Sequence, residues 1–261
     1  MKRTYVKLLT VAGLTGCFLF TSCRSAQETT ARYEISKVEG NMITIDSTWD
    51  ANPDKKATTV LKPYKDKVDA MMYEVIGTSE MKMDKGTPES LLSNLVASVL
   101  QEAAAQVLGK PADMGLVNMG GLRNILPKGD ITVGAVFEIL PFENSLCVLT
   151  MKGTDMKRLF KAIASLHGEG VSGIRLEINK KGELLNATIG GKPVVDDQLY
   201  TVATIDYLAD GNGRMDAFLQ TEKRECPEDA TLRGLFLDYV RKQTAEGKII
   251  TSKLDGRITV K

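Results

Sequence analysis

Asn118-Met119-Gly120-Gly121-Leu122-Arg123, followed by Leu140-Pro141-Phe142-Glu143-Asn144, is the stretch on which the reading turns. Two adjacent glycines reach backbone angles closed to other residues and let a ligand approach the main chain. Arg123 follows at once, a permanent cation whose planar donor fork suits phosphate or carboxylate. Pro141 fixes the backbone just before Phe142, and Asn144 offers one amide acceptor and two donors. A ligand with a flat ring and an anionic tail would use the turn, the cation, the aromatic face and the amide. Taken singly, the same residues also fit a plain turn, a core Phe and a solvated Arg.

A third segment, Tyr200-Thr201-Val202-Ala203-Thr204-Ile205-Asp206-Tyr207-Leu208-Ala209-Asp210-Gly211, reads as a strand running into a Gly-rich loop that carries a second aromatic, Tyr207. In order and spacing, Asn-x-Gly-Gly-[Leu/Ile]-Arg, Pro-Phe-x-Asn and this segment resemble the C-terminal domain of the 5′-nucleotidase family, the UDP-sugar hydrolase and ecto-5′-nucleotidase group. The resemblance covers roughly residues 70–260. It implies a mixed α/β (α+β) fold with a four-layer α/β/β/α arrangement. It also implies roles. Phe142 and Tyr207 sandwich a nucleobase, and Asn144 reaches the base edge. Asn118 and Arg123 meet the polar and anionic parts of a nucleotide or nucleoside, above the turn of Gly120 and Gly121.

The sequence also departs from the family pattern. Tyr207 stands where a Phe is usual. The family's Gly-Gly-Asp-Gly becomes Gly211-Asn212-Gly213-Arg214, so its ribose-contacting Asp aligns with Gly213, or with Asn212 if the loop is shorter, and Arg214 offers a new contact. Asn94-Leu95 is retained. However, Thr87-Pro88-Glu89 lacks the family's Arg, and Ser98 replaces an Asp. These changes weaken the expected grip on phosphate and ribose.

The chain holds a single His, His167, at an expected helix end. The family's two-metal hydrolysis needs several His, Asp and Asn ligands, and no His-x-Asp or Gly-Asn-His-Asp cluster occurs. Asp196-Asp197 and the pair Asp206 and Asp210 lack His partners and read as turns. Asp210-Gly211-Asn212 begins like a calcium loop, but Gly211, Arg214 and Thr221 break that pattern. The expectation is therefore a chain with no catalytic residue, metal or cofactor of its own. It would supply the substrate-binding half of a 5′-nucleotidase-type hydrolase, with divalent metals held by a separate metallophosphatase subunit. A non-enzymatic lipoprotein binding module with a degenerate nucleotide site is the alternative, and a purely structural surface protein is a third.

With 261 residues, 43% hydrophobic, 26% charged and a net charge of +1, the chain can bury one sizeable core. Its near-zero charge gives no support for nucleic acid as a partner. Lys2, Arg3 and Lys7 precede an apolar run, Leu8 to Phe20, that is too short to span a membrane. Thr21-Ser22-Cys23 resembles a bacterial lipoprotein cleavage box. Leu14-Thr15-Gly16-Cys17 is a rival box, but cutting there leaves Phe18-Leu19-Phe20 exposed, so lipidation is placed at Cys23. This gives a signal peptide over 1–22, a tether over 23–32 and one domain over 33–261, anchored by lipid in the cell envelope, periplasmic or outer-membrane associated. Cys147 and Cys226 could pair or stay free; the apolar setting Leu146-Cys147-Val148 favours free thiols.

Alternation predicts a hairpin of strands at 33–38 and 42–47, and helical spacing predicts a helix over 58–72. Thr87-Pro88-Glu89 reads as a helix start, with that helix running to Leu108 and Gly109 ending it. Further helices are expected at 132–139, from a Thr154 cap to Leu166, and from Pro227 to Ala245. Strands are expected at 73–78, 113–119, 145–150, 170–178, 184–189, 200–205, 249–251 and 257–260.

Overall fold

A computed structural model describes residues 34–261 of the chain. The signal peptide, the tether and the lipidation at Cys23 expected from the sequence all lie outside the described residues. Residues 34–53 and 54–261 form separate units. In the first, 34–46 carry no regular structure and a 3-10 turn follows at Ser47–Ala51. The hairpin expected at 33–38 and 42–47 does not form. Ile35, Val38, Met42, Ile43 and Ile45 alternate with polar residues but are all exposed. A two-stranded ribbon with no face to bury is marginal at best in water.

The second unit begins with helix α1 (Lys55–Met72), capped by Asp54, whose carboxylate accepts the Ala57 amide at 2.8 Å. Strand β1 (Val75–Ser79) pairs antiparallel with β3 (Gly129–Thr132). Between them lie helix α2 (Leu91–Ala103), the short α3 (Ala105–Leu108) and strand β2 (Met114–Val117). Gly109, at φ +70°, ends α3 as expected. The start of α2 differs from expectation, because Ser90 caps it instead of Thr87. Glu89 is engaged elsewhere: its carboxylate accepts the backbone amides of Asp255 and Arg257 at 2.9 and 3.0 Å. A contact distant in sequence thus overrides the local start signal.

Helix α4 (Val133–Ile139), capped by Thr132, leads to β4 (Leu146–Lys152) and α5 (Gly153–Ser165). Thr154 lies inside α5 and does not cap it. The run 170–178 expected as one strand is two, β5 (Gly170–Ser172) and β6 (Ile174–Ile178), divided by Gly173 at φ +76°. A Cβ on Gly173 would lie 2.1 Å from the Asp113 carbonyl oxygen, so only glycine permits this corner. Strands β7 (Leu184–Ile189), β8 (Lys192–Pro193) and β9 (Leu199–Ile205), helix α6 (Asp206–Ala209), strand β10 (Lys223–Glu225), helix α7 (Leu232–Ala245) and strand β11 (Ile258–Val260) complete the chain. Helix α7 begins at the Thr231 cap, four residues after the expected Pro227.

Five strands form one sheet in the order β10-β4-β9-β2-β5, and four form another, β11-β6-β7-β8. The corner at Gly173 carries the chain from the first sheet to the second. Helix α2 packs on β2, β5 and β9, and α5 touches strands of both sheets. The mixed α/β class expected from the sequence is the one observed. The apolar stripes expected for α2, α5 and α7 are buried: Leu92, Val96 and Leu100; Met156, Leu159, Phe160 and Ile163; Leu232, Phe236 and Val240. Helix α2 can approach β2 closely because Gly115 has no side chain; a Cβ there would lie 2.3 Å from the Ala97 carbonyl oxygen.

Cys147 and Cys226 are joined in a disulfide, with Cα atoms 4.2 Å apart. This corrects the expectation of free thiols. Cys147 is buried, as its apolar neighbours suggested, but β10 pairs with β4 (Glu225 opposite Val148) and brings Cys226 alongside it. That pairing spans 79 residues and has no local signal in the sequence.

Candidate functional site

Strand direction assembles the site. Strand β2 runs parallel to β9, while β4 and β5 run antiparallel to them. The ends of β2 and β9 therefore share one edge of the sheet with the beginnings of β4 and β5. Asn118 follows β2, Tyr207 follows β9 and Asn144 precedes β4. Those residues, with Gly120, Gly121 and Phe142, line a cavity of about 330 Å³. Six of the eight residues chosen from the sequence thus meet around one cavity, although almost ninety residues separate the first from the last.

Each wall has a local cause. Met119–Gly121 form a 3-10 turn, closed by the Gly121 amide on the Asn118 carbonyl at 3.0 Å. The Asn118 side chain folds back over the glycines: a Cβ on Gly121 would lie 3.0 Å from Asn118 Oδ1. Buried Leu122 and the Arg123 amide, bonded to the Ile139 carbonyl at 2.9 Å, tie the turn to the end of α4. The chain then leaves α4 through Leu140 and Pro141 and presents Phe142. Asn144 is fixed through its carbonyl, which accepts the Leu232 amide at 2.8 Å. Tyr207 opens α6, its amide held by Asp206 Oδ1 at 2.7 Å.

Phe142 and Tyr207 are 47% and 44% exposed, far more than the phenylalanines of the core. Two half-exposed rings at the mouth of a concave site are placed for contact with a flat molecule rather than for core packing. Asn118 Oδ1 is buried and has no hydrogen-bond partner, the only side-chain polar atom in that condition among the described residues. An unsatisfied buried acceptor costs roughly 1–3 kcal/mol, so a donor arriving on a ligand would recover that energy.

Arg123 and Asn212 stand apart from the lining. Arg123 is exposed at the rim, its guanidinium 5.9 Å from the Phe142 ring centre and its Nη1 3.3 Å from the Gly120 carbonyl oxygen. Asn212 is exposed, and its carbonyl accepts the Met215 amide. The loop position nearer the aromatic is Gly213: a Cβ there would lie 3.8 Å from Tyr207 Cε1. Glu89 is occupied with the chain's C-terminal segment, and Ser98 lines a different groove with Ser172 and Arg257. No group of three or more His, Cys, Asp or Glu side chains is placed to hold a metal ion among the described residues.

One residue was missed by the sequence reading. Glu169 directly precedes β5, and its carboxylate accepts the backbone amide of Met119 in the glycine turn. Burial pushes its pKa up to about 7, against the opposing influence of the Met119 hydrogen bond. A lone Glu between two glycines carries no motif; only the pairing of Gly170 with Val117 brings it to the turn.

The 5′-nucleotidase C-terminal domain family matches residues 75–220, more than half of the chain. The chain belongs to that family. It is 28% identical over 188 residues to the endonuclease YhcR of Bacillus subtilis, a match covering 69% of this chain and 15% of that protein. It is 27% identical over 240 residues to the cell wall protein Lmo0130 of Listeria monocytogenes, covering 81% of this chain and 30% of that one. The 5′-nucleotidase precursor of Thermus thermophilus superposes with a TM-score of 0.67 at 26% identity, over 81% of this chain and 44% of that one. The chain thus spans less than half the length of each of these relatives.

Proposed function

We propose that residues 54–261 form the nucleotide- or nucleoside-binding half of a 5′-nucleotidase-type phosphoester hydrolase. A separate metallophosphatase chain supplies the metal ions and the attack on phosphorus. The observation that carries this reading is the convergence of two half-exposed rings, an orphaned buried amide oxygen and a second amide on one cavity. A base stacks on Phe142 and Tyr207, and stacking on an aromatic contributes on the order of 1–3 kcal/mol. Asn118 Oδ1 takes a donor from the ligand, and Asn144 addresses the base edge. Arg123 stands at the rim, where a phosphate leaves the cavity toward the partner. Envelope location, with a lipid on Cys23, fits the likeness to a cell wall protein.

A non-enzymatic binding module is the second reading. It is favoured by Gly213 beside Tyr207, where the family pattern places a ribose-binding Asp, and by the engagement of Glu89 in the fold.

The test is twofold. Thermal unfolding of residues 24–261 is measured with and without excess adenosine and AMP. A ligand at about 100 times its Kd adds roughly 2.7 kcal/mol to stability. No shift with either compound would sink nucleoside binding by the isolated chain. Nucleotide hydrolysis is then assayed with divalent metals. Turnover by the pure chain, lost in Arg123→Ala, would overturn the division of labour, and turnover only after a metallophosphatase is added would support it against the second reading.

A further inference from the structure

The geometry points to Glu169 as the positioning residue of the nucleoside cavity: its carboxylate grips the Met119 amide, holds the 118–121 turn, and thereby sets the turn's affinity for ligand. The inference rests on the proposed nucleoside reading for its ligand, but the grip itself is independent of it.

Three observations support this role. First, the contact crosses between the edge strands of the site. Gly170 pairs with Val117, so the residues before β5 and after β2 lie side by side, and Glu169 meets the turn from the flank opposite Tyr207. Second, the Met119 amide has no other hydrogen-bond partner among the described residues. It precedes the two glycines, which cannot stiffen the turn themselves. Third, the backbone on both sides of Glu169 is closely packed. A Cβ on Gly168 would lie 2.3 Å from the Pro88 carbonyl oxygen, and one on Gly170 would lie 2.7 Å from Val117 Cγ1. The carboxylate is therefore carried by backbone closely packed against Pro88 and Val117.

The charged groups around it are committed elsewhere. Glu89 serves Asn94, Asp255 and Arg257. Arg257 donates to the Asn94 and Val171 carbonyls. Lys85 Nζ donates to the Leu122 carbonyl. The His167 ring lies against Gly182. None neutralises Glu169, so burial governs its titration, with a midpoint of about 7. An ionised acceptor makes a hydrogen bond roughly twice as strong as a neutral one. Protonation therefore loosens the turn in the physiological range.

The same buried charge acts oppositely on stability. The folded pKa, about 7, lies above the ordinary carboxyl value of 4.5, so the stabilisation by Glu169 is complete below the lower value and is lost as pH rises through the upper. Ionisation thus tightens the site while weakening the fold, and a residue with only a structural role would move both together.

The experiment compares wild type with Glu169→Gln and Glu169→Leu, using adenosine, which has no group titrating between about pH 5.5 and about pH 8. For wild type, affinity falls about threefold on acidification across that range, the order expected when a hydrogen bond loses its charge assistance but is not broken. Glu169→Gln, whose amide oxygen still accepts, shows a flat profile near the acidic wild-type affinity. It also melts above wild type at about pH 8, with the gap closing at about pH 5.5. Glu169→Leu binds more weakly at every pH. The amide proton resonances of Met119, Gly120 and Gly121 titrate with a midpoint near 7 in ligand-free wild type and not in Glu169→Gln. An unchanged pH slope in Glu169→Gln, or no titration of those amides, overturns the inference. Absence of adenosine binding by wild type overturns the nucleoside reading, and the amide titration still decides the role of Glu169.

Discussion

The guanidinium of Arg233 donates to the carbonyl of Leu140 at 3.1 Å, two residues before Phe142. Its other nitrogen reaches the Glu143 carboxylate, one residue after the ring. Arg233 thus holds both sides of Phe142 from the first turn of α7, while its Cζ lies 4.1 Å from the centre of the Phe137 ring. The side chain is only 9% exposed, whereas Glu143 is 73% exposed, so the ion pair itself contributes little. The carbonyl bond and the ring contact dominate. Arg233→Ala should leave the Leu140 carbonyl unpartnered and cost about 2–4 kcal/mol in urea unfolding. It should also reduce the stabilisation given by adenosine, because Phe142 loses its support. Arg233→Lys should recover part of the stability and little of the binding, since one ammonium cannot span both acceptors.

Phe142 and Tyr207 should behave as binding residues and not as core residues. Each is about half exposed, so Phe142→Ala or Tyr207→Ala should change the stability of the free protein by less than about 1 kcal/mol. Each should lower adenosine affinity by about 1–3 kcal/mol, or roughly 5- to 150-fold, by calorimetry. Tyr207→Phe keeps the face and should bind nearly as wild type. Loss of stability without loss of affinity in either alanine variant would place that ring in the fold instead.

How far the sequence could be read depended on how local each signal was. The glycine turn, the Pro-Phe pair and the second aromatic are short motifs, and their chemistry is visible without the fold. Six of the eight residues chosen from them line the cavity. Helices α2, α5 and α7 were legible because their apolar spacing repeats over several turns. What was not legible depends on contacts distant in sequence. Glu89 has the local pattern of a helix-start acid, but its carboxylate accepts from Asp255 and Arg257. The run 170–178 has the pattern of one strand, but the approach of Asp113 makes Gly173 a corner. Glu169 acquires its meaning only when β5 lies beside β2. The failed hairpin at 33–47 teaches the converse: alternation describes a strand only where a surface exists to cover its apolar face.

The Cys147–Cys226 disulfide supports one wall of the site at a distance. It pins the end of the edge strand β10 to β4. From β10, Arg224 reaches Asp210 at 2.7 Å, in the loop that follows Tyr207. Cys226→Ser should cost about 2–4 kcal/mol in denaturant unfolding under oxidising conditions, and a reductant should have no further effect on the variant. Loosening of Asp210 should weaken adenosine binding by a smaller factor than Tyr207→Ala does. Equal stability of wild type with and without reductant would show that β10 is held without the bond.

On the proposed reading, Arg123 should decide whether the cavity distinguishes a nucleotide from a nucleoside. Its guanidinium stands 5.9 Å from the Phe142 ring centre, and its side chain is exposed to solvent. An exposed ion pair contributes roughly 0–1 kcal/mol and is screened by salt. AMP should therefore bind at most about fivefold more tightly than adenosine at low ionic strength, and the two should converge near 0.5 M salt, where the Debye length is a few ångströms. Arg123→Ala should remove the AMP advantage and leave adenosine affinity within about twofold of wild type, the residual reflecting the lost contact with the Phe142 face. The comparison is best made by titrating both ligands at two salt concentrations. If AMP keeps a large, salt-resistant advantage in Arg123→Ala, another group grips the phosphate, and Arg214 in the loop after Tyr207 becomes the next residue to change.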